Sequence, residues 1–213
     1  MEIKKNIENY SLPFLVIMYT VGVVGHSIQL TLPLMKTLTP FTLVLTGGVV
    51  FYLLLGDAGK KFFLWYIITY LFTLLVEIIG VKTGLVFGSY DYGNVLGLKV
   101  FDTPLIIGLN WVFVIAGAYS LSGKIFNSTG SKVLFTGLLA VAFDIILEPV
   151  AINLGYWNWE GGYIPIQNFV AWFVLAVIFG FTAEKMKLVI TTKIALQYFL
   201  IQTIFFAILN FTL

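Results

Sequence analysis

Asp144 and Glu148 stand four residues apart inside a long apolar stretch. On a helix that spacing puts both carboxyls on one face. Two carboxyls so close in a low dielectric do not both ionise easily, so the pair offers a proton donor beside a proton acceptor. Pro149 follows at once and takes away the amide that would bond to the carbonyl of Ile145, which predicts a kink next to the acids. Glu77 is a third carboxyl in an apolar setting, on a helical face with Tyr66, Tyr70 and Thr73. It either shares the acid–base role or sits at the interface paired with Lys82. His26, the single histidine, lies on a stripe with Tyr19, Gly22 and Gln29. An ionisable group in the middle of a membrane span costs roughly 2.5–3.5 kcal/mol to insert. Each of these four therefore needs a reason, either chemistry or polar packing between helices. Such packing usually employs Ser, Thr, Asn or Gln instead.

Other groups gather near the acids in sequence. Asn110, Gln167 and Asn168 are placed to position a water. The aromatics Tyr90, Tyr92, Trp111, Trp157, Trp159 and Trp172 form either an interfacial belt or a set of π-faces able to stabilise a cation. With no cysteine and one histidine, thiolate and multi-histidine metal sites are excluded, and no metal is expected. There is no phosphate-binding or dinucleotide-binding motif, so no cofactor is implied. A net charge of +2 argues against a nucleic-acid partner.

The elements that must hold these residues are membrane helices. The chain of 213 residues is 60% hydrophobic and 10% charged, too little charge to cover a water-exposed surface. A span needs about 20 apolar residues and must be helical, because lipid offers its backbone no partner. Spans are predicted near 12–32, 38–56, 62–82, 103–122, 131–153, 168–186 and 192–212. The result is an all-α bundle of about seven transmembrane helices forming a single domain over 1–213. The mixed charge of the first residues and the long apolar run after them argue for a retained first helix over a cleaved signal. All twelve basic residues are lysines, and nine of them fall at the N-terminus and in alternate loops, leaving Lys36, Lys82 and Lys99 on the other side. The positive-inside rule then places the N-terminus in the cytoplasm, the C-terminus outside and the protein in a cell (inner) membrane.

On that orientation the four ionisable groups lie near two outer loops, and those loops resemble each other. Glu77 precedes Gly84, and Glu148 precedes Gly155, at equal spacing. Tyr90/Tyr92 and Trp157/Trp159 follow, and then Pro104 to Trp111 and Pro165 to Trp172, again at equal spacing. This predicts a parallel duplicated hairpin with a site between the copies. Gly80, Gly84 and Gly88 should permit close helix contact and a tight turn.

The motifs EIIGVKTGLVFGSYDYG (77–93), DIILEP (144–149), GYWNWEGG (155–162) and PIQNFVAW (165–172) resemble the carotenoid biosynthesis protein family, and in particular its carotenoid hydratases. The likeness covers residues 75–172. It departs at Glu148, where the family usually has Asp, and at Ile164 and Ala171, where it usually has Gly. These changes bear on the end group accepted more than on the chemistry. The resemblance implies a cofactor-independent hydro-lyase adding water to the terminal isopropylidene double bond of an acyclic carotenoid end, of lycopene or γ-carotene type. Glu148 and Asp144 would carry acid and base, with Glu77 assisting. Tyr90, Tyr92, Trp111, Asn110, Trp157, Trp159, Asn168, Trp172 and His26 would bind substrate or stabilise charge, and the partners would be the lipophilic carotenoid and membrane lipid. A carotenoid cyclase would use the same protonation. A proton-coupled transporter or a non-catalytic carotenoid-binding protein would also account for buried acids in a bundle.

Overall fold

A computed structural model describes residues 2–213, with side chains from Ile7 onward, so Glu2, Lys4 and Lys5 lie outside the described side chains. The first helix, α1 (Glu2–Ser27), begins before and ends before the predicted 12–32. Although residues 28–32 are apolar enough to continue it, Thr31 donates its hydroxyl to the carbonyls of Gly25 and Ile28, and Pro33 suits only the first turn of a new helix. Gln29, expected on the His26 stripe, therefore lies in a turn past the end of α1.

Helix α2 (Leu32–Thr83) covers both predicted spans 38–56 and 62–82 without a loop between them. Its only non-helical residue is Gly59, at φ 59° and ψ −140°. The ring of Phe51 lies 4.7 Å from that of Tyr66. In a straight helix those residues would stand about 22 Å apart, so the chain turns back on itself at Gly59. A conformation open almost solely to glycine does the work of the expected loop.

The remaining helices are α3 (Leu105–Ile125), α4 (Thr129–Leu154), α5 (Ile166–Lys185) and α6 (Ile194–Thr212), each within a few residues of its predicted bounds. Helix α4 stays helical through Pro149 to Leu154. Among the described residues six helices are long and apolar enough to cross a membrane. The centre is α3, which packs on α2, α4 and α6 and buries Val112, Val114, Ile115, Ala116 and Ala118 completely. The outward faces of the other helices expose large apolar side chains such as Phe41, Leu71, Phe72, Leu138 and Ile178, as lipid requires.

The two loops predicted on the outer side contain short strands: β1 (Tyr90–Tyr92), β2 (Lys99–Val100), β3 (Thr103–Pro104) and β4 (Trp157–Trp159). Strand β1 pairs antiparallel with β4, Tyr90 opposite Trp159 and Tyr92 opposite Trp157, so the two loops form one ribbon. Two further bonds flank it symmetrically, Gly93 N–H to the Tyr156 carbonyl and Glu160 N–H to the Ser89 carbonyl, both 2.9 Å. The helices that enter the loops end alike, at Gly84 and Gly155 with φ 67° and 72°. Those that leave start alike, on Pro104 and Pro165.

Charge sorts to the two ends of the bundle. At one end Lys61 reaches the Lys187 carbonyl, Lys132 pairs with Glu184, and Asp57 accepts from the amides of Thr191 and Thr192. At the ribbon end Lys99 donates to the Tyr92 carbonyl and Lys82 pairs with Asp102. Lys82 is thus not the partner of Glu77.

Candidate functional site

Beneath the ribbon, α2, α3, α4 and α5 enclose a cavity of about 30 Å³, room for one or two waters. Glu77, Asp144, Glu148, Tyr90, Tyr92, Asn110, Trp111, Trp157, Trp159, Asn168 and Trp172 all line it. All three carboxylic residues are almost wholly buried.

Each glutamate is held by aromatic donors from the loop that follows its helix, and Glu77 also by one from α3. Glu77 Oε2 accepts from the hydroxyls of Tyr90 (2.6 Å) and Tyr92 (2.8 Å), and Oε1 from the indole N–H of Trp111 (2.7 Å). Glu148 Oε2 accepts from the indole N–H groups of Trp157 (3.0 Å) and Trp159 (2.9 Å). Its Oε1 accepts from Asn168 Nδ2 (3.2 Å). The i, i+2 spacing of the aromatics now has a cause. Alternate residues of a strand share a face, and the antiparallel register turns both pairs toward the cavity. The sequence signal was present, but without a strand it reads as a belt or as π-faces. The polar edges of Tyr90, Tyr92, Trp157 and Trp159 are spent on the glutamates. Burial, and then the neighbouring Glu77 charge, push the Tyr90 and Tyr92 phenols well above their ordinary value, so both stay donors.

Asp144 is provided for differently. Its Oδ2 accepts from Asn168 Nδ2 at 2.6 Å, so one amide bridges Asp144 and Glu148. Its Oδ1 is buried with no partner among the described residues. One carboxyl oxygen is thus left bare beside a cavity of water size, and acid–base chemistry requires such an oxygen.

Behind the acids lies an aromatic wall. Trp111 and Trp172 stack with ring centres 3.9 Å apart, and Phe87 and Phe143 pack against them. Phe87, Ile107 and Leu147 also line the cavity and were missed in the sequence, where single apolar residues in an apolar chain carry no signal. Gln167 lies outside, its amide on the Leu85 carbonyl. His26 is not brought to this cavity. It lines a separate pocket between α1, α2 and α6. Of the stripe running up to Glu77, Tyr66 and Tyr70 open onto a third, lipid-side hollow of about 420 Å³, and Thr73 turns its hydroxyl back to the Thr69 carbonyl.

Fold and site together define a polytopic helical protein of membrane type, with three carboxyls buried under an aromatic ribbon at one end. The chain belongs to the carotenoid biosynthesis protein family, whose profile matches residues 38–213. It is also 30% identical over 131 residues to the bisanhydrobacterioruberin hydratase of Haloarcula japonica, a match covering 55% of this chain and 45% of that relative. The matched part is therefore less than half of the relative's length. No solved structure matches the chain.

Proposed function

We propose that this protein is a carotenoid hydratase that adds water across the terminal isopropylidene double bond of an acyclic carotenoid end, of lycopene or γ-carotene type, without a cofactor. One observation carries the reading: three buried carboxyls meet at a water-sized cavity, and only Asp144 has an oxygen without a donor. Both oxygens of Glu77 and of Glu148 are occupied by donors, which suits carboxylates. Asp144 is then the group that holds the proton. Its O–H protonates the less substituted alkene carbon, the π pair forms the new C–H bond, and a tertiary cation remains. The faces of Trp111 and Trp172 and the two carboxylates stabilise that charge. The cavity water attacks the cation and gives its extra proton to Glu148. A proton passes back to Asp144 through solvent in the cavity, with Asn168 holding the two acids in register. In the present conformation the cavity admits water but not the alkene end, so binding has to part the apolar lining of Phe87, Ile107 and Leu147.

The finer architecture belongs to the same proposal. The reversal at Gly59, beside Asp57, Lys60 and Lys61, supports reading α2 as two spans and the bundle as seven. The matched caps, the symmetric ribbon and the stacked Trp111 and Trp172 support a duplicated hairpin, related by a local two-fold axis through the Asp91–Asn158 pair. The lysine-rich end is taken as cytoplasmic, with the acids towards the outer face of the cell membrane.

The test is pigment analysis in a bacterium making lycopene and γ-carotene. A product heavier by one water, absent with Glu148→Gln, supports the hydratase. An isomer of unchanged mass replaces it with a cyclase, and unchanged pigment with the protein in the membrane refutes it for these substrates.

A further inference from the structure

The pocket holding His26 has about 140 Å³ of space, and a cavity of that size takes a six-carbon ring. Its walls are mainly apolar, built from Met18, Gly22, Met35, Leu43, Phe205 and Phe206, with Thr39, Thr42 and Tyr156 also on the lining. His26 is 5% exposed, and its Nδ1 lies 2.7 Å from the Gly22 carbonyl. A carbonyl oxygen only accepts, so Nδ1 carries the hydrogen, and Nε2 of the neutral ring is a bare lone pair. That Nε2 is buried without a partner among the described residues. The Tyr19 hydroxyl, also on the wall, is already bonded to Tyr198 and Gln202. In this largely apolar pocket His26 Nε2 is thus a buried acceptor that a donor on an otherwise apolar ligand would satisfy.

We infer that this pocket receives the tertiary-alcohol end of the isoprenoid product, with the alcohol O–H donating to His26 Nε2. The inference rests on the hydratase reading and names where its product goes. The pocket and the acid cavity are separated at two points by a pair of packed rings. Tyr156 lines the pocket and Trp157 the cavity, their rings 6.3 Å apart, while Phe206 lines the pocket and touches Phe143 beside Asp144. A tertiary alcohol left next to a buried acid reverts to alkene through the same cation, by microscopic reversibility. A pocket with an acceptor and no acid holds the alcohol out of that reach. Neither alkene nor carotenoid chain offers a donor, so the site discriminates for product over substrate. Helix α1, which supplies His26, precedes the residues that match the family.

The single histidine makes the test direct, because histidine labelled with ¹⁵N gives one Nε2 resonance. The full chain in lipid nanodiscs is titrated with a ten-carbon isoprenoid tertiary alcohol and with the ten-carbon alkene it would dehydrate to. The alcohol should shift Nε2 saturably and bind roughly three- to tenfold tighter than the alkene, the worth of one hydrogen bond. Asp144→Asn should leave that shift in place, and His26→Phe should abolish the preference while still binding the alkene. Equal response to both ligands, or an Nε2 already hydrogen-bonded by water and indifferent to the alcohol, overturns the inference. Hydrated pigment with a silent His26 sinks the pocket alone. A responsive His26 without hydrated pigment sinks the hydratase reading and leaves an alcohol site.

Discussion

The two loop-linked helix pairs around the cavity differ at several matched positions, and two of these concern Asp144 and the amide that holds it. Glu77 and Glu148 correspond, as do their aromatic donors and the stacked Trp111 and Trp172. Four residues before Glu77 stands Thr73, and four before Glu148 stands Asp144. Three residues after Pro104 stands Ile107, and three after Pro165 stands Asn168. Both halves therefore cage a glutamate, but only the second adds an acid with a bare oxygen and an amide to hold it. The difference teaches that both halves carry a caged carboxyl and that the acid with a bare oxygen, with its amide, stands on one side. Thr73 satisfies its hydroxyl on its own helix and offers nothing to the cavity.

The comparison can be broken most severely at Glu148 and Asp144. Glu148→Gln and Asp144→Asn should each lower hydration by about 10²-fold or more, the usual worth of a general acid or base, in a pigment assay with the protein verified in the membrane. Full turnover by both would remove the assignment. The sharper version makes the halves alike. Asp144→Thr with Asn168→Ile should insert and melt near the parent, because Thr73 and Ile107 are already tolerated opposite, yet be as inactive as Asp144→Asn. Glu77→Gln should cost less, about tenfold in turnover, since Glu77 only stabilises charge in this scheme; a loss equal to that of Glu148→Gln would put the acids on an equal footing.

Smaller effects should come from the cages. Tyr92→Phe removes one donor to a buried carboxyl and should destabilise by about 1–2 kcal/mol in thermal unfolding. The smallest concerns alkali. In the folded chain the Tyr90 and Tyr92 phenols titrate well above their ordinary value, whereas unfolded tyrosine ionises near pH 10. Their contribution is complete below about pH 10 and is lost as pH rises further, when the unfolded chain sheds protons that the folded one keeps. Melting temperature should decline more gently there in the Tyr90→Phe, Tyr92→Phe chain.

Much of this was legible in the residues. Length and hydropathy gave the helices, and the equal spacings from Glu77 to Gly84 and Glu148 to Gly155, and from Pro104 to Trp111 and Pro165 to Trp172, pointed to two similar loops. What escaped was tertiary. The turn after Ser27 is set by a Thr31 hydroxyl and a proline within an unbroken apolar run, which hydropathy does not register. The strands are three residues long, too short for any periodicity, so the i, i+2 aromatics could not declare that their polar edges face the glutamates. His26 shares a helix face with Tyr19 and Gly22, as its spacing said, but spacing along one helix cannot tell which cavity that face meets.

The ribbon between the loops has a consequence for how the chain is made. Strand β1 leaves the ribosome more than sixty residues ahead of its mate β4. In that interval all the donors that Glu77 takes in the folded chain, Tyr90, Tyr92 and Trp111, are already made, while the edge of β1 has no mate. The second pair must be inserted before β1 is covered and Trp172 closes on Trp111. The water-sized chamber is thus sealed last, when the nascent polypeptide has both halves in the bilayer, and a chain that stalls between them has every donor of the Glu77 cage but lacks Asp144 and Asn168.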